Sequence, residues 1–89
     1  MKINLYTSQS GDPQIFAVES VKTVGDCLAG LDQTVQNMIL DSSGVRRFVS
    51  VYLGVPGQGV RNVKTEQGLE TAIKGGEELT ILIADPFKV

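Results

Sequence analysis

The sequence of 89 residues contains no histidine and a single cysteine, Cys27. Without histidine the chain cannot assemble a Ser–His or Cys–His catalytic pair. With one thiol it cannot close an internal disulfide or supply the ligands of a Cys/His zinc site. These absences exclude most familiar enzyme chemistry, so we expect a protein that is not an enzyme and that holds no cofactor or metal.

An excess of basic charge and a long apolar run are also missing. Eight Lys and Arg against ten Asp and Glu give a net charge of −2, so no cationic field favours a nucleic acid. No stretch approaches the ~20 apolar residues of a membrane span, and residues 1–6 alternate instead of forming a signal-peptide core. We therefore expect a soluble, cytoplasmic protein that binds neither nucleic acid nor membrane.

The residues that are present are those of an ordinary folded domain. Apolar residues make up 42% of the chain and charged residues 20%, which is the balance of a globular protein and not of a disordered tail. A chain of this length has room for one hydrophobic core. The sequence therefore predicts a single domain over residues 1–89.

Alternation of apolar and polar residues predicts several strands. The pattern runs over residues 2–6. Turn-forming residues and then a β-prone run over residues 14–18, which does not alternate cleanly, follow it and predict a hairpin. The alternation returns over residues 48–53 and 78–84, with a shorter edge strand at 60–63. In each of the two later long segments, one set of alternate side chains is strongly apolar, which indicates a sheet with one buried face.

A spacing of three and four residues replaces the alternation after Thr23. It predicts a main helix from Val24 to Asp32, with Thr23 as its N-cap, and a second short helix around residues 35–39. Residues 69–73 predict a brief helical turn or an extended piece. This order favours an α+β fold of the β-grasp (ubiquitin-like) type, in which a mixed sheet of four to five strands carries the main helix on one face. The first and last strands are expected to be parallel neighbours in the middle of the sheet.

Two segments in the second half of the chain carry a resemblance to a known family. Residues 46–53 read Arg-Arg-Phe-Val-Ser-Val-Tyr-Leu, and residues 69–82 place a Gly-Gly-Glu-Glu turn before Leu-Thr-Ile-Leu. With the Thr-Val-Gly-Asp helix start at residues 23–26, they make the chain similar to the ubiquitin-like sulfur carriers. These are the small subunit of molybdopterin synthase, the thiamine sulfur carrier and the carriers that serve cysteine synthesis.

The resemblance implies a β-grasp protein that docks on larger protein partners. A carrier of this kind binds an ATP-dependent activating enzyme, is adenylated and thiolated at its C-terminus, and passes the sulfur to a synthase. The partners that the resemblance implies are therefore an activating enzyme or a synthase subunit.

The C-terminal tail departs from the family, whose members end in a slender Gly-Gly. Here the last strand leads into a stiffer and bulkier tail, which consists of Asp85, Pro86, Phe87, Lys88 and Val89. Proline fixes φ, and a β-branched residue beside the terminal carboxylate is stiff. We expect this tail to fit the narrow channel of an activating enzyme badly, so that no thiocarboxylate forms. The alternative is a noncovalent ubiquitin-like adaptor or regulatory subunit that has lost carrier chemistry.

A candidate docking surface follows from the strand alternation. Phe48, Tyr52 and Leu82 fall on the face opposite the predicted core, where they would form an exposed apolar patch. Arg46, Arg47 and Arg61 are expected to rim this patch and to attract an acidic partner surface. The alternatives are plain packing for the apolar residues and solvated strand ends for the three arginines.

Three other features favour structural readings over functional ones. Cys27 lies on the apolar stripe of the main helix, which predicts a buried, unreactive thiol. Residues 54–59 contain three glycines but lack the Gly-Lys-Ser/Thr ending of a phosphate loop, so we predict an ordinary hairpin-type loop. The acidic pair Glu77 and Glu78 is expected to carry turn charges without an arranged cation.

Overall fold

A computed structural model describes residues 1–7, 12–19 and 22–84 of the chain. The strands in chain order are β1 (Lys2–Thr7), β2 (Gln14–Ala17), β3 (Leu40–Asp41), β4 (Gly44–Val45), β5 (Val49–Gly54), β6 (Val60–Asn62) and β7 (Glu78–Ile83). The α-helices are α1 (Val24–Ala29) and α2 (Gln33–Ile39), and two 3₁₀ turns cover Val63–Thr65 and Gly68–Glu70. Within these described ranges, no helix has the length and apolar character needed to cross a bilayer.

Five of the strands form one mixed sheet in the order β2-β1-β7-β5-β6. The first and last strands, β1 and β7, run parallel at its centre, with Ile3 opposite Leu79 and Leu5 opposite Ile81. The other pairings in this sheet are antiparallel. The predicted α+β, β-grasp-like fold is therefore confirmed, including the central parallel pair and the edge position of the short strand β6.

The core lies on the face of the sheet that the helices cover. Alternate residues of the three central strands are buried there, as the alternation predicts, and they meet the apolar side of α1. These buried side chains are Ile3, Leu5, Val49, Val51, Leu53, Leu79 and Ile81 from the sheet and Val24, Cys27 and Leu28 from α1. Each Val, Leu or Ile side chain among them stabilises the fold by about 1.5–3 kcal/mol when it is fully removed from water.

The main helix is shorter than its periodicity predicts. It was expected to reach Asp32, but α1 ends at Ala29, where Gly30 caps it with an N–H that donates to Cys27 O at 3.2 Å. The side chain of Gln36 on α2 then donates to Leu31 O at 2.7 Å and to Ala29 O at 3.3 Å. These hydrogen bonds satisfy carbonyl groups that have no partner at the end of a helix. The chain therefore ends α1 at Ala29 and begins α2 at Gln33. The predicted cap at Thr23 is confirmed, since its Oγ1 accepts from Asp26 N at 3.2 Å.

A small hairpin follows α2 and leads the chain into the sheet. Strands β3 and β4 pair Leu40 with Val45, and Ser43 N donates to Asp41 Oδ1 at 2.8 Å inside the turn. Gly44 has φ of +113°, a conformation that favours glycine. The hairpin returns the chain to Arg46, whose N–H donates to Ile39 O at 2.9 Å, and so fixes the start of β5.

Candidate functional site

The face of the sheet away from the helices carries an exposed apolar patch. Leu82 on β7 lies between Tyr6 on β1 and Ser50 on β5, and the next outward residue on β5 is Tyr52. Tyr6 is 37% exposed and Leu82 is 40% exposed, whereas Tyr52 is half-buried. We call Tyr6, Tyr52 and Leu82 the outer patch. The structure thus places two of the three predicted patch residues together on one face.

Tyr6 belongs to the outer patch, although it was not among the residues predicted for that surface. Two of the sequence-based predictions, taken together, indicate its position. The alternation over residues 2–6 sets Tyr6 on the opposite side from Ile3 and Leu5, and the predicted parallel pairing brings this strand against the last one. Their register places Tyr6 directly beside Leu82.

Phe48 does not belong to this patch, and its predicted position was wrong. It lies in the turn before β5, half-buried against the core, and its carbonyl accepts a hydrogen bond from Ala84 N at 3.0 Å. A further bond, from Val49 N to Arg46 O at 3.1 Å, closes the turn, so the strand begins at Val49. Because Phe48 lies outside the pleated strand, the alternation does not set the direction of its side chain.

Arg61 was also placed wrongly by the sequence, since the structure engages it within the fold. It pairs with Leu53, which puts its side chain on the helix-covered side of β6. There its Nη2 lies 2.9 Å from Glu77 Oε1 and its Nε lies 3.2 Å from Glu77 Oε2, so the two side chains form a bidentate ion pair. Nη1 contacts Glu66 Oε2 at 3.0 Å, and Nη2 also donates to Ala72 O at 3.0 Å. Arg61 therefore ties β6 to the segment before β7 and does not rim the outer patch.

The electrostatics of this ion pair follow from its partial burial. The side chain of Glu77 is only 7% exposed, and that of Arg61 is 25% exposed. Burial alone would raise the pKa of Glu77, but hydrogen bonds from Arg61 and from Lys74 N outweigh it, so that the pKa is lowered. The hydrogen bond to Glu77 likewise raises the pKa of Arg61. The prediction that no cation is positioned against Glu77 was therefore wrong, because Arg61 pairs with it.

Arg47 is the predicted basic site residue that stays available to a partner. It lies exposed in the turn before β5, and in the described part of the chain its guanidinium makes no hydrogen bond. Its neighbour Arg46 is engaged, because Nε donates to Asn37 O at 2.9 Å. Both arginines line an open cavity of about 520 Å³ with Asp41 and Phe48. This cavity lies beside the bond between Phe48 and Ala84, next to the end of β7.

Cys27 is fully buried, which confirms the structural reading of this thiol. Burial raises the pKa of Cys27 to about 11, although the positive N-terminus nearby acts in the opposite direction. Its Sγ lies 3.7 Å from the sulfur of Met1. A protonated thiol in an apolar setting is a poor nucleophile, so the geometry gives it no catalytic role.

Residues 55–59 form a loop between β5 and β6, with Gly57 at φ of +84°, as the sequence predicts. Among the described residues, no group of three or more His, Cys, Asp or Glu is placed to hold a metal ion. The predicted tail residues Asp85–Val89 lie outside the described residues.

Comparison with known proteins gives no further assignment. No protein-family model matches this sequence, and a search of curated proteins finds no match. The fold is therefore shown by the structure, and the function rests on the site and on the resemblance given above.

Proposed function

We propose that this chain is a sulfur-carrier-like ubiquitin-fold protein that docks noncovalently on a larger protein partner through the outer patch. The partner class is an activating enzyme or a sulfur-accepting synthase, as the resemblance implies. The observation that carries the proposal is the direct pairing of Tyr6 with Leu82 on a face that the helices leave open.

The composition of the outer patch supports a protein partner. Tyrosine presents a large apolar ring and a polar hydroxyl at little conformational cost, and it is enriched among residues that dominate binding energy. Two tyrosines and a leucine on a flat sheet therefore suit a protein surface better than a small ligand, which prefers a concave pocket. Burial of these side chains on docking lowers the free energy of the complex, because apolar surface that is exposed in the free protein is removed from water.

Arg47 adds a charge to the same end of the sheet. It precedes Val49 by two positions, and Ser50 lies directly opposite Leu82, so the turn that carries Arg47 borders the outer patch. An exposed cation at a rim mainly accelerates association and excludes wrong partners. The proposed partner surface is therefore apolar at its centre and acidic at its margin.

The chemistry of the residues after β7 favours docking without thiocarboxylate formation. Pro86 fixes φ and removes a backbone N–H, and Phe87 is bulky. A narrow catalytic channel accepts a chain without large side chains more readily. We therefore propose noncovalent docking. A protein that docks without carrying sulfur would act as a regulatory subunit or an adaptor.

A binding experiment tests the proposal. The immobilised protein is presented with purified activating enzymes and sulfur-accepting synthase subunits, and Leu82→Glu is compared with Gln67→Glu. Both variants add one negative charge at an exposed position, but only the first lies in the outer patch. We expect Leu82→Glu to lose binding and Gln67→Glu to keep it, with both circular dichroism spectra unchanged. Equal binding by both variants would refute the proposed docking face.

A second measurement separates docking from carrier chemistry. The protein is incubated with ATP and each activating enzyme that it binds, and its intact mass is recorded. We expect no adenylate on the unmodified chain. An adenylated or thiolated product would show that the chain is a working carrier and would overturn the noncovalent part of the proposal.

A further inference from the structure

Strand β2 forms one edge of the sheet and leaves backbone groups open along it. Met1 and Val18 exchange two hydrogen bonds, at 2.7 and 3.0 Å, which fixes the alternation of the antiparallel ladder between β1 and β2. By that alternation, Ile15 and Ala17 direct their N–H and C=O groups away from β1. In the part of the chain that the structure describes, no other segment pairs with this edge.

A groove runs beside the end of this open edge. It has a volume of about 380 Å³ and is lined by Ala17, Val18 and Glu19 on one side and by Asp26 and Gly30 on the other. The two carboxylates are exposed and make no hydrogen bond with any described residue, and no cation lies among the lining residues. The groove is therefore negatively charged through Glu19 and Asp26, and Ala17, Val18 and Gly30 contribute apolar surface to it.

We propose that the β2 edge binds an extended basic segment of a partner protein, which adds as a further strand to the sheet. The open N–H and C=O groups of Ile15 and Ala17 supply the ladder hydrogen bonds, and Glu19 and Asp26 supply the charge that selects the segment. This site lies on the edge of the sheet and differs from the outer patch, so it does not depend on the docking function proposed above.

The pleat of the sheet specifies the side-chain pattern of the segment. Residues that lie opposite Ile15 and Ala17 point to the outer face, where Ile15 is 59% exposed and favours an apolar neighbour. The residue that lies opposite Val18 points to the helix side, where Val18 and Asp26 line the acidic groove, and it is best filled by Lys or Arg. The bound segment is thus one in which basic and apolar residues alternate.

A synthetic peptide tests this site. The probe is a short fluorescein-labelled peptide in which Lys and Val alternate, and its binding is followed by fluorescence anisotropy in physiological salt. The matched control peptide has the same charge but carries Pro in place of two Val residues, so that it cannot form a ladder. We expect the alternating peptide to bind at least about tenfold more tightly than the Pro-containing peptide, a difference of about 1.4 kcal/mol.

Variants of the protein locate the site. Ala17→Pro removes an N–H that points away from β1, and we expect it to weaken binding by about tenfold. Glu19→Gln combined with Asp26→Asn is expected to weaken binding by about fivefold, because the charge-assisted contacts are lost. Glu70→Gln removes an exposed carboxylate that does not line the groove and serves as the charge control, with a change of less than about twofold.

Hydrogen exchange of the unmodified protein gives a readout that does not depend on the folding of a variant. We expect the amides of Ile15 and Ala17 to exchange fast in the free protein and to become protected when the peptide saturates it. Equal binding of the Pro-containing peptide, or unchanged exchange at these two amides, would overturn the proposal. So would self-association of the protein that Ala17→Pro abolishes, because the edge would then belong to a second copy.

Discussion

Arg61 on β6 holds both carboxylate oxygens of Glu77, which lies 16 residues further along the chain, at 2.9 Å and 3.2 Å. This contact joins the edge strand β6 to the turn that feeds the central strand β7. The planar guanidinium matches the carboxylate, and the same group also reaches Glu66 and Ala72 O. The network fixes the position of the segment between residues 66 and 77, which lacks long elements of its own.

Substitution of Arg61 tests this role as a stability determinant. We expect Arg61→Met to lower the free energy of unfolding by about 2 kcal/mol, because the nearly buried carboxylate of Glu77 loses its main partner. The control is Arg47→Met, which removes an exposed cation and should change stability by less than about 0.5 kcal/mol. Both values come from urea unfolding followed by circular dichroism. A loss for Arg61→Met no larger than that of the control would show that the ion pair does not stabilise the fold.

The double variant Arg61→Met, Glu77→Met gives a sharper test of the same contact. Removal of both charged partners avoids the desolvation cost of an unpaired carboxylate. We expect the double variant to regain part of the stability that Arg61→Met loses, although the hydrogen bond from Lys74 N to Glu77 is also gone. A double variant that is no more stable than Arg61→Met alone would contradict this account.

The lowered pKa of Glu77 predicts a dependence of stability on pH. Between the folded-state pKa and the unfolded value of about 4.3, the unfolded chain binds a proton at Glu77 that the folded chain does not. The contribution of this carboxylate is therefore complete above about pH 5 and is lost as the pH falls through the folded-state pKa. We expect the stability difference between the native protein and Glu77→Gln to shrink as the pH falls below about 5. A difference that stays constant over this range would contradict the assignment.

The sheet faces of residues in the three long strands β1, β5 and β7 were predictable, whereas the contacts between distant segments were not. The alternation of Val49, Val51 and Leu53 depends only on the period of a strand, so the sequence predicts their burial directly. The contact of Arg61 with Glu77 depends on the register of β6 and on the path of the 3₁₀ turns, and no local pattern encodes either. Phe48 was misplaced because a strand boundary shifted by one residue changes the direction of a side chain.

The raised pKa of Cys27 predicts its reactivity and a second pH effect. The thiol is buried and has a pKa of about 11, so a thiol reagent should label it only through opening of the fold. We expect labelling to accelerate by more than about 100-fold in denaturing urea. Between the unfolded value of about 8.5 and the folded value of about 11, the folded chain keeps a proton that the unfolded chain loses.

Stability should therefore fall as the pH rises through this alkaline window. Cys27→Ala is the control, because it retains the titration of the tyrosines and lysines but lacks the thiol. We expect its stability to decline less steeply with pH than that of the native protein. Fast labelling of the folded protein, or identical pH profiles for both chains, would mean that the thiol is accessible.

Two adjacent residues of β7 separate the outer patch from the core. Ile81 is fully buried, whereas Leu82 is 40% exposed on the opposite face. We expect Ile81→Ala to lower the free energy of unfolding by about 3 kcal/mol, because it leaves a cavity. Leu82→Ala should lower it by less than about 1 kcal/mol in the free protein, since little packing is lost. Urea unfolding of the two variants measures both values. Comparable losses would show that Leu82 is structural and would remove it from the docking face, since a residue kept for a partner costs the free fold little when it is replaced.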